Sequence, residues 1–360
     1  MLCESSYKYN VVGLFLNAVL GGAVKGRSQA EGAAPQGDSS DPARIEADIA
    51  VLVPCYNEEI VIQSVVADFR AALPRAKIYV YDNNSTDRTV ERARAAGAIV
   101  KSERLQGKGN VVRRMFADVD ADVYVLVDGD ATYDATVAPA MIELLLSEQL
   151  DLVNGTRVSD TKGAYRPGHR FGNAALTALV RAIFGTGFSD MLSGYKVLSR
   201  RFVKSAPLLS SGFEIETEIA VHALSLRIPI AEMPTYYRDR PAESASKLRT
   251  YRDGIRILRT IVHLVKEERP LWFFSCLSVV LSMLSIGLAI PVAITYVDTG
   301  LVPRLPTAVL SASIMLLAFL SLTCGLILDT VTHGRKEVKR LVYLSAAPPD
   351  ASCKPEKRVA

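Results

Sequence analysis

Cysteine is scarce and scattered. The five residues, Cys3, Cys55, Cys276, Cys324 and Cys353, are odd in number and include no CxxC pair. Two of them lie inside apolar runs, so neither a disulfide framework nor a zinc site is expected. An excess of charge of one sign is also lacking. Against 38 Asp+Glu stand 42 Lys+Arg, a net +4 over 360 residues, too little to argue for a nucleic-acid partner. Glycine-spaced nucleotide signatures are missing as well. Gln106-Gly-Lys-Gly-Asn110 lacks GxxxxGK[ST], and no GxGxxG follows the first predicted strand, which removes the main support for a dinucleotide-dependent oxidoreductase. Apolar residues, by contrast, make up 49% of the chain, and mean hydropathy is positive. With 22% charged residues, the composition excludes a wholly disordered chain and places part of it in lipid.

Two runs carry that apolar excess. Leu271 to Val297 holds 27 residues without a charged side chain, and Leu305 to Leu328 holds 24. At about 1.5 Å per helical residue, each exceeds a hydrocarbon core of roughly 30 Å. The link between them, Asp298 to Arg304, is short enough for an antiparallel hairpin. Lys266 and Arg269 precede the first run, and Arg335, Lys336, Lys339 and Arg340 follow the second. By the positive-inside rule both flanks, and the large domain before them, face the cytoplasm. The expectation is a multi-pass protein of the cytoplasmic (inner) membrane with its main domain in the cytoplasm.

The rest of the chain divides by texture. Residues 1–47 read as a flexible N-terminal arm: Val11 to Val24 is too short to span, and Gly26 to Ala47 is rich in Ala, Gly, Ser, Pro and Asp. Residues 48–248 alternate between strand and helix. Strands are expected over 49–53, ended by Pro54, and over 77–81, 98–101 and 123–127. Helices are expected over 58–73, 86–96 and 109–117. Buried strands joined by helices predict a parallel, doubly wound α/β sheet. Residues 249–269 form an amphipathic interfacial helix with an apolar stripe of Ile255, Leu258, Ile261, Val262 and Val265. The hairpin occupies 270–330 (271–297 and 305–328), and 331–360 form a basic cytoplasmic tail.

Ligands of such sheets gather beyond the carboxyl ends of the strands, where acidic residues concentrate here. The fourth strand leads into Val127-Asp128-Gly129-Asp130. Two carboxylates flanking a glycine can approach one divalent cation and a diphosphate together; oxygen ligands of this kind suit Mg2+ or Mn2+. The first strand ends in Pro54-Cys55-Tyr56-Asn57-Glu58-Glu59, and the second in Asp82-Asn83-Asn84-Ser85-Thr86-Asp87. Helix capping accounts for part of this acidity. A nucleotide laid across the strand ends accounts for its recurrence on three of four strands. The glycines around Lys108 read as a flexible turn that brings Lys108 near such a donor.

Taken in order, Val53 to Glu59, Asp82 to Thr89, Gln106 to Asn110 and Asp128-Gly-Asp130 resemble family 2 glycosyltransferases of the GT-A fold. Within that family the chain is most similar to the dolichol-phosphate mannose synthase-like, polyprenyl-phosphate branch. Gly155-Thr-Arg157, Arg166 to Asn173, Asp190 to Tyr195, Gly212-Phe-Glu214 and Ser246-Lys247 extend the likeness over roughly 49–250. The resemblance implies inverting transfer of one sugar from a UDP- or GDP-linked donor to a polyprenyl phosphate. Residue by residue, it implies that Pro54, Tyr56, Glu58 and Asp82 hold the nucleoside. Asp128 and Asp130 meet the metal and diphosphate, with Lys108, Arg240 and Lys247 at the donor. Arg157, Arg170 and Asn173 seat the acceptor phosphate. Where the family pattern has a further metal ligand, Gln, two residues after the second Asp, this chain has Thr132. Membrane lipids are implied partners, nucleic acid is not, and self-association is left open. A processive polysaccharide synthase of the same superfamily is disfavoured, because the single tryptophan, Trp272, follows Leu271 and cannot complete QxxRW. A membrane-anchored sugar-nucleotide scaffold without catalysis is the reading from another class, and the intact Asp128/Asp130 pair argues against it.

Overall fold

The computed structural model describes residues 47–158, 178, 180–181, 187–238 and 250–349; for 250–254, 256 and 257 only the backbone is described. Residues 1–46 of the N-terminal arm, and Arg170, Asn173, Arg240 and Lys247, lie outside the described residues.

The uninterrupted apolar segments are the sheet's central strands. Ile49–Cys55 (β1) is buried at every position, and Val123–Leu126 (β4) likewise. Lys77–Asp82 (β2) and Ile99–Ser102 (β3) lie on the other side of β1. These four strands are parallel, as the alternation predicts. Three more strands, Leu152–Val158 (β5), Lys196–Ser199 (β6) and Ile230–Tyr236 (β7), extend the sheet to seven in the order β3-β2-β1-β4-β6-β5-β7. Only β6 runs against its neighbours, so the sheet is mixed although mostly parallel.

Pro54 does not end β1, which runs on to pair Cys55 with Asp82. The Leu52 carbonyl accepts from Val127 N–H, so Pro54, two residues on, faces β4 as well. The β1–β4 pairing stops at Leu52–Leu126, and a missing N–H there costs the sheet nothing.

Period two divides β1 between two apolar layers. Ala50 and Leu52 join the layer of Lys108–Asp118 (α3) and Ile215–Leu226 (α6). Val51, Val53 and Cys55 join that of Ile62–Ala72 (α1) and Ala138–Ser147 (α4). Helix α1 starts four residues later than its apolar spacing suggests. The Glu58 carbonyl accepts from Val61 and Ile62 N–H, while its own N–H donates to Thr89 Oγ1 at 2.8 Å. Residues 58–61 are thereby held as a turn against the start of Thr89–Ala95 (α2).

After Arg200–Ser205 (α5), α6 and β7, Thr250–Glu268 (α7) follows the expected amphipathic course. Its apolar stripe splits, however. Ile261, Leu264 and Val265 are buried in the α3–α6 layer, whereas Ile255, Leu258 and Val262 remain exposed. Among the described residues, Pro270–Thr299 (α8) and Leu305–Ser345 (α9) are the two helices long and apolar enough to cross a membrane. They pack antiparallel: Ser285 Oγ donates to the Ser311 carbonyl at 2.7 Å, and a Cβ on Gly325 would press on Phe274. Most of their large apolar side chains face outward.

The basic segment after the second run is no separate tail as far as Ser345. It continues α9 without a break and docks on the α/β domain. Tyr343 Oη donates to Asp151 Oδ2 at 2.6 Å, and Asp151 is fully buried at the start of β5, where it also accepts from Ser199 Oγ and the Arg201 guanidinium. Arg201 and Arg340 lie over the Tyr343 ring at 4.3 and 4.9 Å. Lys336 and Lys339 meet Glu268 at the end of α7. Of the four basic residues Arg335, Lys336, Lys339 and Arg340, the last three thus also hold α9 to the domain, Arg340 through the Leu226 carbonyl.

Behind this contact, His222 on α6 is buried edge-on to Phe202, with no hydrogen-bond partner on either ring nitrogen. Burial, aided by Lys339, pushes its pKa down to about 4. A histidine held neutral in this way takes its proton only on unfolding, so its contribution is intact above about pH 6.5 and lost as pH falls toward 4. The shift corresponds to about 3 kcal/mol at most. His222→Phe should flatten the fall in stability between pH 6.5 and 4 measured by denaturation of the detergent-solubilised chain; an unchanged slope would refute this account.

Candidate active site at the carboxyl ends of the strands

Two side-chain lattices build the acidic rim at the carboxyl ends of the strands. In the first, Asn57 and Glu59 after β1 are laced to the turn after β2. Asn57 N–H donates to Ser85 Oγ, Thr86 N–H to Asn57 Oδ1, and Arg88 N–H to Glu59 Oε2. Asp87, one residue before the N-cap Arg88, accepts from the first N–H of α2, that of Thr89, at 2.9 Å. Asp82, buried at the end of β2, accepts from Ser85 N–H with both oxygens. Register places Tyr56, Glu58 and Asp82 on one edge, with Tyr56 exposed and both acids buried. Pro54 is buried just behind them.

The second lattice surrounds Asp128-Gly-Asp130. A Cβ on Gly129 would lie 2.5 Å from Cys55 Sγ, so glycine is what lets the acidic turn press on β1. Asp130, 3% exposed, is aimed by Thr132, which donates from both its N–H and Oγ1 to Oδ1. The residue that departs from the family pattern therefore orients the second acid. Ala131 between them takes the left-handed conformation, φ 57°.

Asp128 is held from the opposite side. Lys108, the first residue of α3, places its ammonium 2.5 Å from Asp128 Oδ1 and also on Glu216 Oε1 of α6. Burial alone lowers the Lys108 pKa, but the two carboxylates more than reverse this and hold it above its ordinary value. Burial pushes the Glu216 pKa up, with Lys108 opposing. The glycines on either side of Lys108 are not a flexible turn. The backbone of Ser210 and Ser211 lies so close that a Cβ on Gly107 or Gly109 would overlap it, and Gly109 N–H donates to the Ser211 carbonyl.

Arg157, at the end of β5, faces this cluster across Tyr237. Its Nε and Nη2 donate to the two Asp190 oxygens, both at 2.7 Å, and its guanidinium lies 5.6 Å from the Tyr237 ring centre. The Tyr237 hydroxyl meets the Thr132 side chain. Tyr237 thus stands between the acids of the donor side and the arginine expected at the acceptor. Behind them Lys196 is fully buried with Nζ 2.5 Å from Asn154 Oδ1, and burial lowers its pKa to about 8.

The structure therefore brings Lys108, Asp128, Asp130 and Arg157 to one side of the sheet, with Pro54, Tyr56, Glu58 and Asp82 along the same edge. Sequence reasoning missed Glu216, the pairing role of Asp190, and Tyr237. One signal for Glu216 was present: an acid between Ile215 and Ile219 at the start of a helix whose remaining positions are mostly apolar. Among the described residues no group of three or more His, Cys, Asp or Glu is placed to hold a metal by itself.

A mostly parallel sheet with acids gathered at its strand ends is the GT-A arrangement, and the comparisons agree. The Glycosyl transferase family 2 model matches residues 50–205. Glycosyltransferase AglJ of Haloferax volcanii is 34% identical over 299 residues, 82% of this chain and 98% of its own length. A dolichyl-phosphate hexose transferase of the same organism is 33% identical over 225 residues, covering 62% and 96%. The chain belongs to glycosyltransferase family 2. A solved structure of glucosyl-3-phosphoglycerate synthase from Mycobacterium tuberculosis, in complex with Mn2+, UDP-glucose and phosphoglyceric acid, shares the fold. Its TM-score is 0.51 at 22% identity, over 64% of this chain and 86% of that one.

The fork between Arg157 and Asp190 carries the positioning of that arginine. Asp190→Ala should remove both charge-assisted bonds and cost about 2–3 kcal/mol in urea denaturation. An unchanged midpoint would show that the fork does not stabilise the fold.

Proposed function

We propose that this enzyme transfers one hexose, with inversion, from a UDP- or GDP-linked sugar to a polyprenyl phosphate, giving a polyprenyl-monophosphate sugar for envelope glycan or lipid modification. The observation that carries the reading is the pairing, on one side of one sheet, of an acidic donor rim with Arg157, in a chain that also holds two membrane-length helices. The dolichyl-phosphate hexose transferase among the relatives supports the acceptor class.

Tyr56, Glu58, Asp82 and buried Pro54 would hold the nucleoside, and Lys108 with Arg240 and Lys247 the donor diphosphate. Asp128 and Asp130 fit Mg2+ or Mn2+: two hard oxygen donors on one turn leave the remaining positions to phosphate and water, and Asp128 already accepts a cationic partner. Such an ion would supply charge stabilisation for the departing diphosphate. The Mn2+ in the structural neighbour is in line with this choice.

A phosphate monoester is an anion at neutral pH and needs little general-base help. Its oxygen forms a bond to the anomeric carbon as the bond to the nucleoside diphosphate breaks. The protein's task is to bring two anions together in line. Arg157, charged at any working pH and turned by Asp190 and Tyr237, would seat the attacking phosphate with Arg170 and Asn173. The exposed face of α7, with Ile255, Leu258 and Val262, would rest in the headgroups beside the α8–α9 anchor.

Purified protein screened with labelled UDP- and GDP-sugars and undecaprenyl phosphate tests the reading; no lipid-linked product from any donor would refute it. Asp130→Asn should fold and lose most transfer. Arg157→Ala should slow transfer about ten- to hundredfold while leaving donor affinity by calorimetry near normal; lost donor affinity with unchanged acceptor dependence would move Arg157 to the donor site.

Topology has its own test. A cysteine at Gly300 should be labelled from outside intact cells and one at Asp87 should not. Labelling of Asp87 would overturn the cytoplasmic placement.

A further inference from the structure

Among the described residues of the site, Lys108 places one ammonium on two carboxylates, the partly exposed Asp128 and the buried Glu216. Asp128 belongs to the acidic turn after β4, where the donor diphosphate is expected. Glu216 belongs to α6, on the far side of Lys108, and its side chain is 7% exposed. A carboxylate buried to that degree is costly unless paired. An ion pair serving only to hold α3 against the acidic turn would need Asp128 alone. A second acid, on a different helix, has no part in that task.

Charge counting suggests what the second acid does. Asp128, Asp130, Glu216 and Lys108 sum to −2, which one divalent cation brings to zero. An ion on Asp128 would repel the ammonium now 2.5 Å from that carboxylate. Lys108 could not then keep both contacts, and without Glu216 it would be left as a displaced, desolvated cation. With Glu216 it already touches the partner that would retain it. The surroundings restrict the change to the side chain. Gly107 and Gly109 are locked under the Ser210–Ser211 backbone, and Asp128 is confined on its other flank by Gly194, where a Cβ would overlap its carboxylate.

We propose that Lys108 is the resident counter-cation of the metal-binding pair: it holds Asp128 before the divalent ion arrives, yields it on arrival, and is retained by Glu216. The inference rests on the metal reading given above and adds a competition that this reading does not require. Lys108 sets how tightly the ion binds, and Glu216 sets how readily Lys108 gives way. Released from Asp128, the ammonium stays on the donor side, where the diphosphate would present its oxygens.

The test is Mn2+ titrated alone into full-length, detergent-solubilised protein, with free Mn2+ followed by electron paramagnetic resonance. E216Q deprives Lys108 of its second seat, so Mn2+ affinity should fall about tenfold. K108M removes the competitor, and affinity should rise by a similar factor. Should K108M fold poorly because Glu216 is stranded, K108M/E216Q removes both charges together and should show the same rise. Added Mn2+ should also raise its melting temperature more than it raises that of the wild type. Equal affinity in all these proteins, no Mn2+ uptake by any of them, or weaker binding in K108M/E216Q would overturn the inference. If transfer nonetheless requires a divalent ion in the wild type, the metal reading stands and only the role of Lys108 falls.

Discussion

Negative charge is concentrated at the carboxyl ends of the strands, and the fold must keep it there without letting the acids repel one another into solvent. Neutralisation is local. Lys108 answers Asp128 and Glu216, Arg157 answers Asp190, and backbone N–H groups answer Asp82, Asp87 and Asp130. Asp82, Asp87 and Asp130 are answered within their own turns, whereas Lys108 and Arg157 reach acids on other elements, so that part of the charge balance exists only when the sheet, α3 and α6 are all in place. This explains why glycine recurs where it does. Gly107, Gly109, Gly129 and Gly194 each stand where a Cβ would collide with backbone, with the Cys55 sulfur or with a site carboxylate.

The same logic appears at the opposite end of the sheet with different chemistry. Asp151 is fully buried and takes hydrogen bonds from Ser199, Arg201 and Tyr343. Through Tyr343 the long helix α9 is tied directly to β5, the strand whose other end carries Arg157. A membrane anchor joined by a loose linker would let the active site swing relative to the lipid. Here the helix long and apolar enough to cross a membrane is also the helix that docks, so its position relative to the site is set by packing.

Much of the architecture was legible without coordinates. Apolar runs of seven or fewer residues alternating with helical spacing identify buried parallel strands, because only such strands are covered on both faces. Runs beyond 20 residues identify the hairpin, because nothing else has to be apolar for that distance. The acids after β1, β2 and β4 point to the site for a topological reason: in a parallel sheet every strand delivers its carboxyl end to the same edge.

Boundaries and pairings were decided by tertiary contact. Pro54 reads locally as a strand end, yet β1 continues because β4 has already stopped pairing on that side. Glu58 to Val61 reads as helix, yet Thr89 holds it as a turn. The segment after the second apolar run reads as a tail, yet Asp151, through Tyr343, and Glu268, through Lys336 and Lys339, hold it as the last turns of α9. Glu216 stayed hidden because its meaning lies in a lysine 108 residues earlier, and no periodicity encodes that distance. Local physics determines which segments are strands, helices and spans, since each depends on neighbours within a few residues. Which buried charge faces which depends on chain crossings that only the folded sheet specifies.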